Sequence, residues 1–198
     1  FISQWFCAYP IFQDNRVYRP YHLKHHRFTE TKDDPDLSLS APVPIKKDSF
    51  YRKIFRDLTG ITGYKRYSQA LNSILNTEAK NSKEKLNRVW HKIHGFLITN
   101  TIIFFMISIF FHWSLFFLLW WLPAFTYYSL IIRIRNIAEH SVTPGNNNFD
   151  NTRTTLTNPL VRFLMAPHRV NYHLEHHLFM MCPWSVSYTH LTLPTMDH

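Results

Sequence analysis

The sequence is poor in cysteine and glycine, which excludes several kinds of site. Only two cysteines and four glycines occur among its 198 residues. Cys7 and Cys182 are too few for a disulfide scaffold and lack metal-type spacing, so we expect them to be core or lipid-facing residues. Because the glycines form no glycine-rich fingerprint, a phosphate-binding loop is not expected.

One long segment contains no charged residue. Between Gly95 and Ile132 there is no Asp, Glu, Lys or Arg, although the chain has a formal net charge of +9 and a pI near 9.7. A nucleic-acid-binding protein could have that overall charge. Here the cations flank an apolar block, so we expect no nucleic-acid partner.

The uncharged block is long enough for two membrane crossings. A transmembrane helix needs about 20 apolar residues, with a minimum near 17. We therefore place spans at about 95–112 and 114–132, with a break near His112. A single helix of this length would overshoot a bilayer, and the alternative, a buried helix of a soluble protein, does not need so long a stretch without charge.

The charges beside the block orient it. Lys and Arg are dense from Lys46 to Lys92, and Arg133 and Arg135 follow the second span. By the positive-inside rule both flanks, residues 13–94 and 133–184, are predicted to face the cytoplasm. The sequence therefore predicts an all-α, multi-pass integral membrane helical bundle with a cytoplasmic helical cap.

The cytoplasmic flank before the spans includes an amphipathic stretch, DSFYRKIFRDLTG. Phe50, Ile54 and Leu58 recur at helical spacing with basic residues between them, and Gly60 is the expected C-cap. A helix on a membrane surface fits this pattern, and so does an exposed helix packed on a soluble body. The apolar residues 1–12 are too short to cross a bilayer and are either interfacial or the end of an upstream span.

Two histidine clusters have nearly the same spacing. The stretches PYHLKHHRFT and NYHLEHHLFM each contain His-x-x-His-His, about 150 residues apart. Positions i, i+3 and i+4 share one face of a helix, so the side chains of each cluster would point the same way. Imidazole is the commonest metal-ligating side chain, and a solvated polar cluster is the alternative. The residues are His22, His25 and His26, and His173, His176 and His177.

The predicted topology brings these clusters together. Two crossings return the chain to the side that it left, so both clusters lie in one compartment. RIRNIAEHS, directly after the second span, places Asn136 and His140 on one helical face. Alone, His140 would be a capping or packing residue, but beside the clusters it becomes a seventh candidate ligand.

The number of candidate ligands indicates two metal ions. One zinc ion takes four protein ligands, or three and a water, so seven histidines are too many for a single such ion. A nitrogen-ligated pair of first-row metals suits oxygen chemistry, because hydrolytic two-metal sites usually include bridging carboxylates. Nearby carboxylates either accept hydrogen bonds from imidazole N–H groups or are plain surface charge: Asp33, Asp34, Asp36, Glu139 and Glu175.

With these elements in this order, the sequence resembles the membrane-bound, histidine-box fatty acid desaturases. The resemblance rests on YHLKHHRFTETKDDPD, RIRNIAEHS and NYHLEHHLF, with a two-span hairpin between the first and second, and covers residues 1 to about 184. It implies a cytoplasmic di-iron centre in which Asn136 holds one iron through a water. The implied histidine ligands are His22, His25, His26, His140, His173, His176 and His177.

The resemblance also implies an activity and its partners. With molecular oxygen as co-substrate, hydrogen would be removed from two adjacent methylenes of a fatty acyl chain, carried as an acyl-CoA or an acyl-lipid. Electrons would come from ferredoxin or cytochrome b5, since the sequence has no heme, flavin or iron–sulfur motif. An apolar tunnel would be gated by aromatic residues whose alternative role is an interfacial belt: Trp120, Trp121, Tyr127 and Tyr128.

Two features depart from that family. An earlier histidine box is missing from residues 1–21, and the chain opens without an initiator Met. We therefore expect an N-terminally truncated chain that lacks two ligands and is inactive by itself. The run SVSYTHLTLPTMDH, residues 185–198, is predicted to be an unrelated tail in which His190 and His198 have no function.

Two other functions remain open. A hydroxylase with the same boxes would act on fatty acids, alkanes or carotenoids, and the ligands alone do not separate it from a desaturase. A non-catalytic membrane metal-binding protein, such as a transporter or sensor, is the second alternative. Transport predicts ionisable residues inside the spans, and there the uncharged block offers only His112.

Overall fold

The described part of this computed structural model is helical, which confirms the all-α prediction. It comprises residues 1–40, 43–143 and 150–182, so the predicted tail at 185–198 lies outside it. No strand occurs in these ranges. The α-helices are α1 Asn15–Phe28, α2 Leu37–Ser40, α3 Lys47–Leu58, α4 Ile61–Leu75, α5 Ser82–Phe110, α6 Ser114–Phe116, α7 Leu122–Phe125, α8 Tyr127–His140, α9 Pro159–Met165 and α10 His173–Leu178.

The chain divides into two compact units. The first unit comprises Phe1–Pro20 and Asp48–Leu130, and the second comprises Tyr21–Lys47 and Ile131–His198. The helical hairpin belongs mainly to the first unit, whereas all seven predicted histidine ligands lie in the second.

Two helical segments are long and apolar enough to cross a membrane. They are Ser82–Phe110 and Ser114–His140. The first begins with a capped turn in which the Asn81 side chain accepts a hydrogen bond from the Glu84 amide at 2.8 Å. It ends at the extended residue Phe111, so the predicted break near His112 falls between the two segments. The second segment includes a π-helical stretch, Phe117–Trp121, between α6 and α7.

Close backbone approaches organise the first unit. A Cβ on Gly95 would lie 2.2 Å from the Tyr9 ring, so a larger residue would displace the N-terminal segment from α5. The Asn100 side chain donates to the Pro10 carbonyl at 3.1 Å in the same region. Likewise, a Cβ on Gly63 would lie 2.2 Å from the Phe125 carbonyl oxygen, so α4 packs directly on the backbone of α7.

The predicted amphipathic helix is α3, and its faces differ from the expectation. Gly60 has φ 80°, the left-handed conformation that glycine adopts readily, and separates α3 from α4. Phe50 and Ile54 are half-buried, but Leu58 is 50% exposed. The exposed apolar face is displaced from the predicted one by one residue, towards the residues that directly follow Phe50 and Ile54 in the sequence.

Candidate metal centre

The two histidine clusters lie on helices that give their side chains a common direction. In α1, the i, i+3 and i+4 spacing places His22, His25 and His26 on one face. The short helix α10 does the same for the second cluster, His173–Leu178. The hydroxyl of Thr29 donates to the His25 carbonyl at 2.7 Å and so satisfies a backbone acceptor near the end of α1.

Four of the histidines form one buried group. In this four-histidine group the ring nitrogens available as ligands lie within 4.8 Å of one another. Nε2 of His173 lies 2.9 Å from Nε2 of His140 and 3.1 Å from Nε2 of His177. The members are His25, His140, His173 and His177, all of them buried.

The other three form a second group, which is less buried. In this three-histidine group, Nε2 of His26 lies 3.0 Å from Nε2 of both His22 and His176, and those two Nε2 atoms are 3.1 Å apart. His26 is buried, whereas His22 and His176 are half-buried. The His26 ring also stands against the His177 ring, with centroids 4.0 Å apart, so the two groups are neighbours.

The three-histidine contacts fit ligands of a shared cation better than a hydrogen-bonded cluster. Each Nε2 has one in-plane position, which holds either a proton or a lone pair. Among three mutually adjacent Nε2 atoms at least two must be of the same kind and would repel one another. A cation between three lone pairs removes this conflict. Nitrogens at adjacent corners of an octahedron with ligand bonds of about 2.1 Å would be about 3.0 Å apart, close to the observed separations.

A carboxylate holds His25 from behind. His25 Nδ1 donates to Oδ1 of Asp34 at 2.9 Å, which leaves Nε2 to face the other histidines. Asp34 also accepts hydrogen bonds from the backbone amides of Glu30 and Asp36, both at 2.8 Å. These bonds fix the carboxylate, and through it the orientation of the His25 ring.

His140 and His173 have different supports. His140 Nδ1 donates to the carbonyl oxygen of Asn151 at 3.0 Å, and the Asn151 side chain donates to the Thr29 carbonyl, also at 3.0 Å. Glu139 lies 3.8 Å from His173 Nδ1 and accepts a 2.8 Å bond from Arg135. This network ties α8 and the loop before α9 to the end of α1.

The other candidate carboxylates play smaller parts. Glu175 accepts a hydrogen bond from the Thr154 hydroxyl. Asp36 accepts one from the Tyr21 hydroxyl at 2.6 Å and lies 3.8 Å from His25 Nδ1. Asp33 is exposed, which agrees with plain surface charge.

Asn136 is buried, and its Oδ1 atom accepts no hydrogen bond within the described ranges. It lies one helical turn before His140 on α8, on the face that the sequence predicted. A buried amide oxygen without a donor has lost its hydration, so a water or ion beside it would offset that loss.

Burial keeps most of these histidines neutral. Desolvation, reinforced by neighbouring histidines, lowers the pKa of His22 to about 4 and that of His26 to about 3. Burial also lowers the pKa of His173, His176 and His177. His25 differs: burial lowers its pKa, but the hydrogen bond to Asp34 and the nearby carboxylates outweigh that effect and raise it. Neutral imidazoles have the lone pairs that metal binding requires.

The sequence did not reveal two of the supports. The Asn151 carbonyl has no signature, because every residue carries the same group. The Thr154 hydroxyl lies 21 residues before Glu175, and no motif links the two. Asp34, in contrast, was among the candidate acceptors.

The helices and the paired groups define a class: helical proteins with membrane-length helices and a two-part histidine centre. The family model for fatty acid desaturases matches residues 1–186, so the chain belongs to the fatty acid desaturase family. Comparisons with curated proteins and with solved structures give no match. The family indicates an oxidoreductase with a fatty acyl substrate, and the histidine groups indicate metal binding.

Proposed function

We propose that the protein is an oxygen-dependent desaturase that introduces a double bond into a fatty acyl chain at a histidine-held di-iron centre. One observation carries the proposal: seven histidines from three separate segments converge into two adjacent groups of ligand atoms, in a chain of the desaturase family. Imidazole ligands suit iron, although they suit zinc and copper as well.

Each group would hold one iron ion. The four-histidine group supplies His25, His140, His173 and His177, and the three-histidine group supplies His22, His26 and His176. Asn136 would hold a water beside one of the ions, since its buried oxygen accepts no hydrogen bond within the described ranges. When bound, the two irons would supply the oxygen activation and hydrogen removal that side chains cannot.

The chain's own residues contribute orientation, charge and exclusion of water. Asp34 and the Asn151 carbonyl fix the rings of His25 and His140 through their Nδ1 atoms. The negative charge of Asp34 and Glu139 offsets part of the cationic charge of a loaded centre. Burial of all four members of the four-histidine group keeps bulk water from that half of the site.

The uncharged parts of the helical segments Ser82–Phe110 and Ser114–His140, at about 95–112 and 114–132, would cross the membrane, with the histidines on the cytoplasmic side. This orientation follows from the positive-inside rule applied to the basic flanks. The fatty acyl chain, on CoA or on a lipid, would reach the centre from the membrane. An acidic electron donor such as ferredoxin or cytochrome b5 would bind the basic cytoplasmic surface formed by the flanks of the spans.

Expression of the full-length protein in a heterologous host, with fatty acids profiled by mass spectrometry, tests the proposal. We expect new double bonds that disappear in His176→Ala and persist in His91→Ala, a matched exposed histidine outside both groups. Iron content near two per chain should accompany the activity.

The alternatives predict different products. Hydroxylated fatty acids, alkanes or carotenoids without new double bonds would assign a hydroxylase. Bound metal with no oxidised product in any host would favour a metal-binding protein. Normal activity in a preparation that contains only zinc would contradict the oxygen chemistry altogether.

A further inference from the structure

We propose that one face of α3 and α4 binds an anionic lipid leaflet. Three cations beside this face, Arg52, Arg56 and Lys65, would select acidic headgroups. The apolar stripe on this face is between 50% and 68% exposed. It is formed by Tyr51, Phe55, Leu58, Ile61 and Tyr64. The proposal rests on the proposed membrane insertion of the hairpin.

The helix α4 has three faces rather than two. At about 100° per residue, Gly63 and Tyr67 share a side that packs on the hairpin. A Cβ on Gly63 would collide with Phe125, and the Tyr67 ring lies 5.6 Å from Trp121 and 4.9 Å from Phe125. The exposed residues Ile61 and Tyr64 lie on the adjacent side.

Further round α4 the surface becomes polar. Lys65 lies about 100° beyond Tyr64, away from the packed side, and Gln69 and Asn72 lie near it. All three are exposed. A helix with protein on one side, exposed apolar residues next and polar residues last has the arrangement expected at a bilayer surface.

The helix α3 repeats this order. Phe50 and Ile54 are half-buried, Tyr51, Phe55 and Leu58 form the exposed apolar side, and exposed Arg52 and Arg56 follow. An open cleft of about 500 Å³ beside α3 is lined by both kinds of residue: Ser49, Tyr51, Arg52, Lys53, Phe55 and Arg56.

Charge favours an anionic lipid surface over an uncharged one. Lys47–Leu75 contains six Lys or Arg residues and two Asp residues, of which Asp57 is fully buried.

The contacts that hold α4 favour a bilayer rather than a protein partner as the ligand of this face. Arg66 donates to the Ala124 carbonyl at 2.9 Å and lies over the Tyr128 ring at 4.5 Å. It therefore lies beside the aromatic residues of the second membrane-length segment, which are typical of the headgroup level.

The test places the full chain in nanodiscs of DOPC alone or of DOPC mixed with DOPG. A fluorophore at Ser68→Cys, with Cys7 and Cys182 changed to Ser, reports on the stripe without altering its members. The reference label is at Lys85→Cys on exposed α5. In the mixture we expect acrylamide, an uncharged quencher, to quench the Ser68 label several-fold less than the reference label. In DOPC alone most of this difference should be lost, because basic residues strengthen binding to an anionic surface.

Substitution of the cations separates selection of acidic headgroups from burial of the apolar stripe in any bilayer. Arg52→Gln, Arg56→Gln and Lys65→Gln together should abolish the difference between the two lipid compositions. The matched control carries Lys80→Gln, Lys83→Gln and Lys85→Gln and should keep the difference between the two lipid compositions. It is again labelled at Ser68→Cys, and its reference label is at Asn87→Cys because Lys85 is substituted. Equal shielding in both lipids, or quenching as strong as at the reference, would overturn the proposal. Failure to enter nanodiscs would overturn the membrane insertion, whereas entry with an exposed stripe would reject only this surface.

Discussion

The two histidine groups differ in burial and in support. All four members of the four-histidine group are buried, and the Nδ1 atoms of His25 and His140 are held by Asp34 and by a backbone carbonyl. The three-histidine group has two half-buried members, and Nδ1 of its buried member, His26, finds no partner in the described ranges. Ligands that are fixed before binding lose less conformational entropy when the ion arrives. The comparison therefore predicts one tightly held ion and one that is released more readily.

Loss of a ligand should have the largest effect. With a chelator in excess, we expect the intact protein to lose metal in a fast phase from the three-histidine group and a slow phase from the four-histidine group. His177→Ala should remove the slow phase and His22→Ala the fast one, and either should reduce desaturation by the full-length protein to background. Stopped-flow chelation with a metal-sensitive dye measures both phases. A single phase in the intact protein would contradict the difference between the groups.

Removal of the carboxylate behind His25 should have the next largest effect. Asp34→Asn removes the charge and replaces one carboxylate oxygen with an NH2 group, although one oxygen accepts from His25 and the other from the Glu30 amide. The slow phase should therefore accelerate about 10- to 100-fold, as is typical when a partner of a ligating histidine is lost. The fast phase should not change. Asp33→Asn is the matched control, because Asp33 is exposed. Equal effects of the two substitutions would show that only the local charge matters.

The sequence predicted which histidines meet, but not how they divide. Order along the chain, helical spacing and the two-span hairpin were enough to bring all seven together with Asn136 nearby. The division into four and three was not predictable, because i, i+3 and i+4 give His22, His25 and His26 the same standing on α1. In the structure His25 joins His140, whereas its neighbours on α1 join His176.

The supporting residues depend on loop geometry that periodicity does not encode. Asp33 and Asp34 are adjacent in DDPD, yet only Asp34 faces His25. The exposed stripe on α3 shows the same limit. Periodicity identified an apolar face, but it does not encode which edge of that face is covered: Phe50 and Ile54 are half-buried, whereas Leu58 is exposed.

Acidification should weaken the metal-free protein through its buried histidines, including those of the three-histidine group. In the unfolded chain a histidine takes up a proton near pH 6.5, whereas folded His22 and His26 do so only near pH 4 and pH 3. The unfolded state therefore binds more protons between these values, and the free energy of unfolding falls as the pH is lowered from about 6.5 towards 4. His25 acts in the opposite direction because its folded pKa is raised.

Thermal melts of the metal-free protein across this pH interval measure the effect. His22→Gln with His26→Gln should reduce the pH dependence without removing it, because burial also lowers the pKa of His173, His176 and His177. His91→Gln should leave it unchanged, and a double variant with the same pH dependence as the parent protein would contradict the contribution of His22 and His26.

The smallest expected effect concerns a support of the α10 helix that both groups share. Thr154→Val removes the hydroxyl that donates to Glu175, between His173 and His176. We expect the free energy of unfolding to fall by about 1.5 kcal/mol, the lower end for a hydrogen bond to a carboxylate, and both chelation phases to accelerate by no more than a few-fold. Thr157→Val is the matched control, since the Thr157 hydroxyl is buried and finds no partner among the described residues. Its loss should be neutral or slightly stabilising, because no bond is broken and an unsatisfied polar group is removed. If Thr154→Val accelerated only one phase, α10 would support the two groups unequally, and the difference between them would extend beyond Asp34.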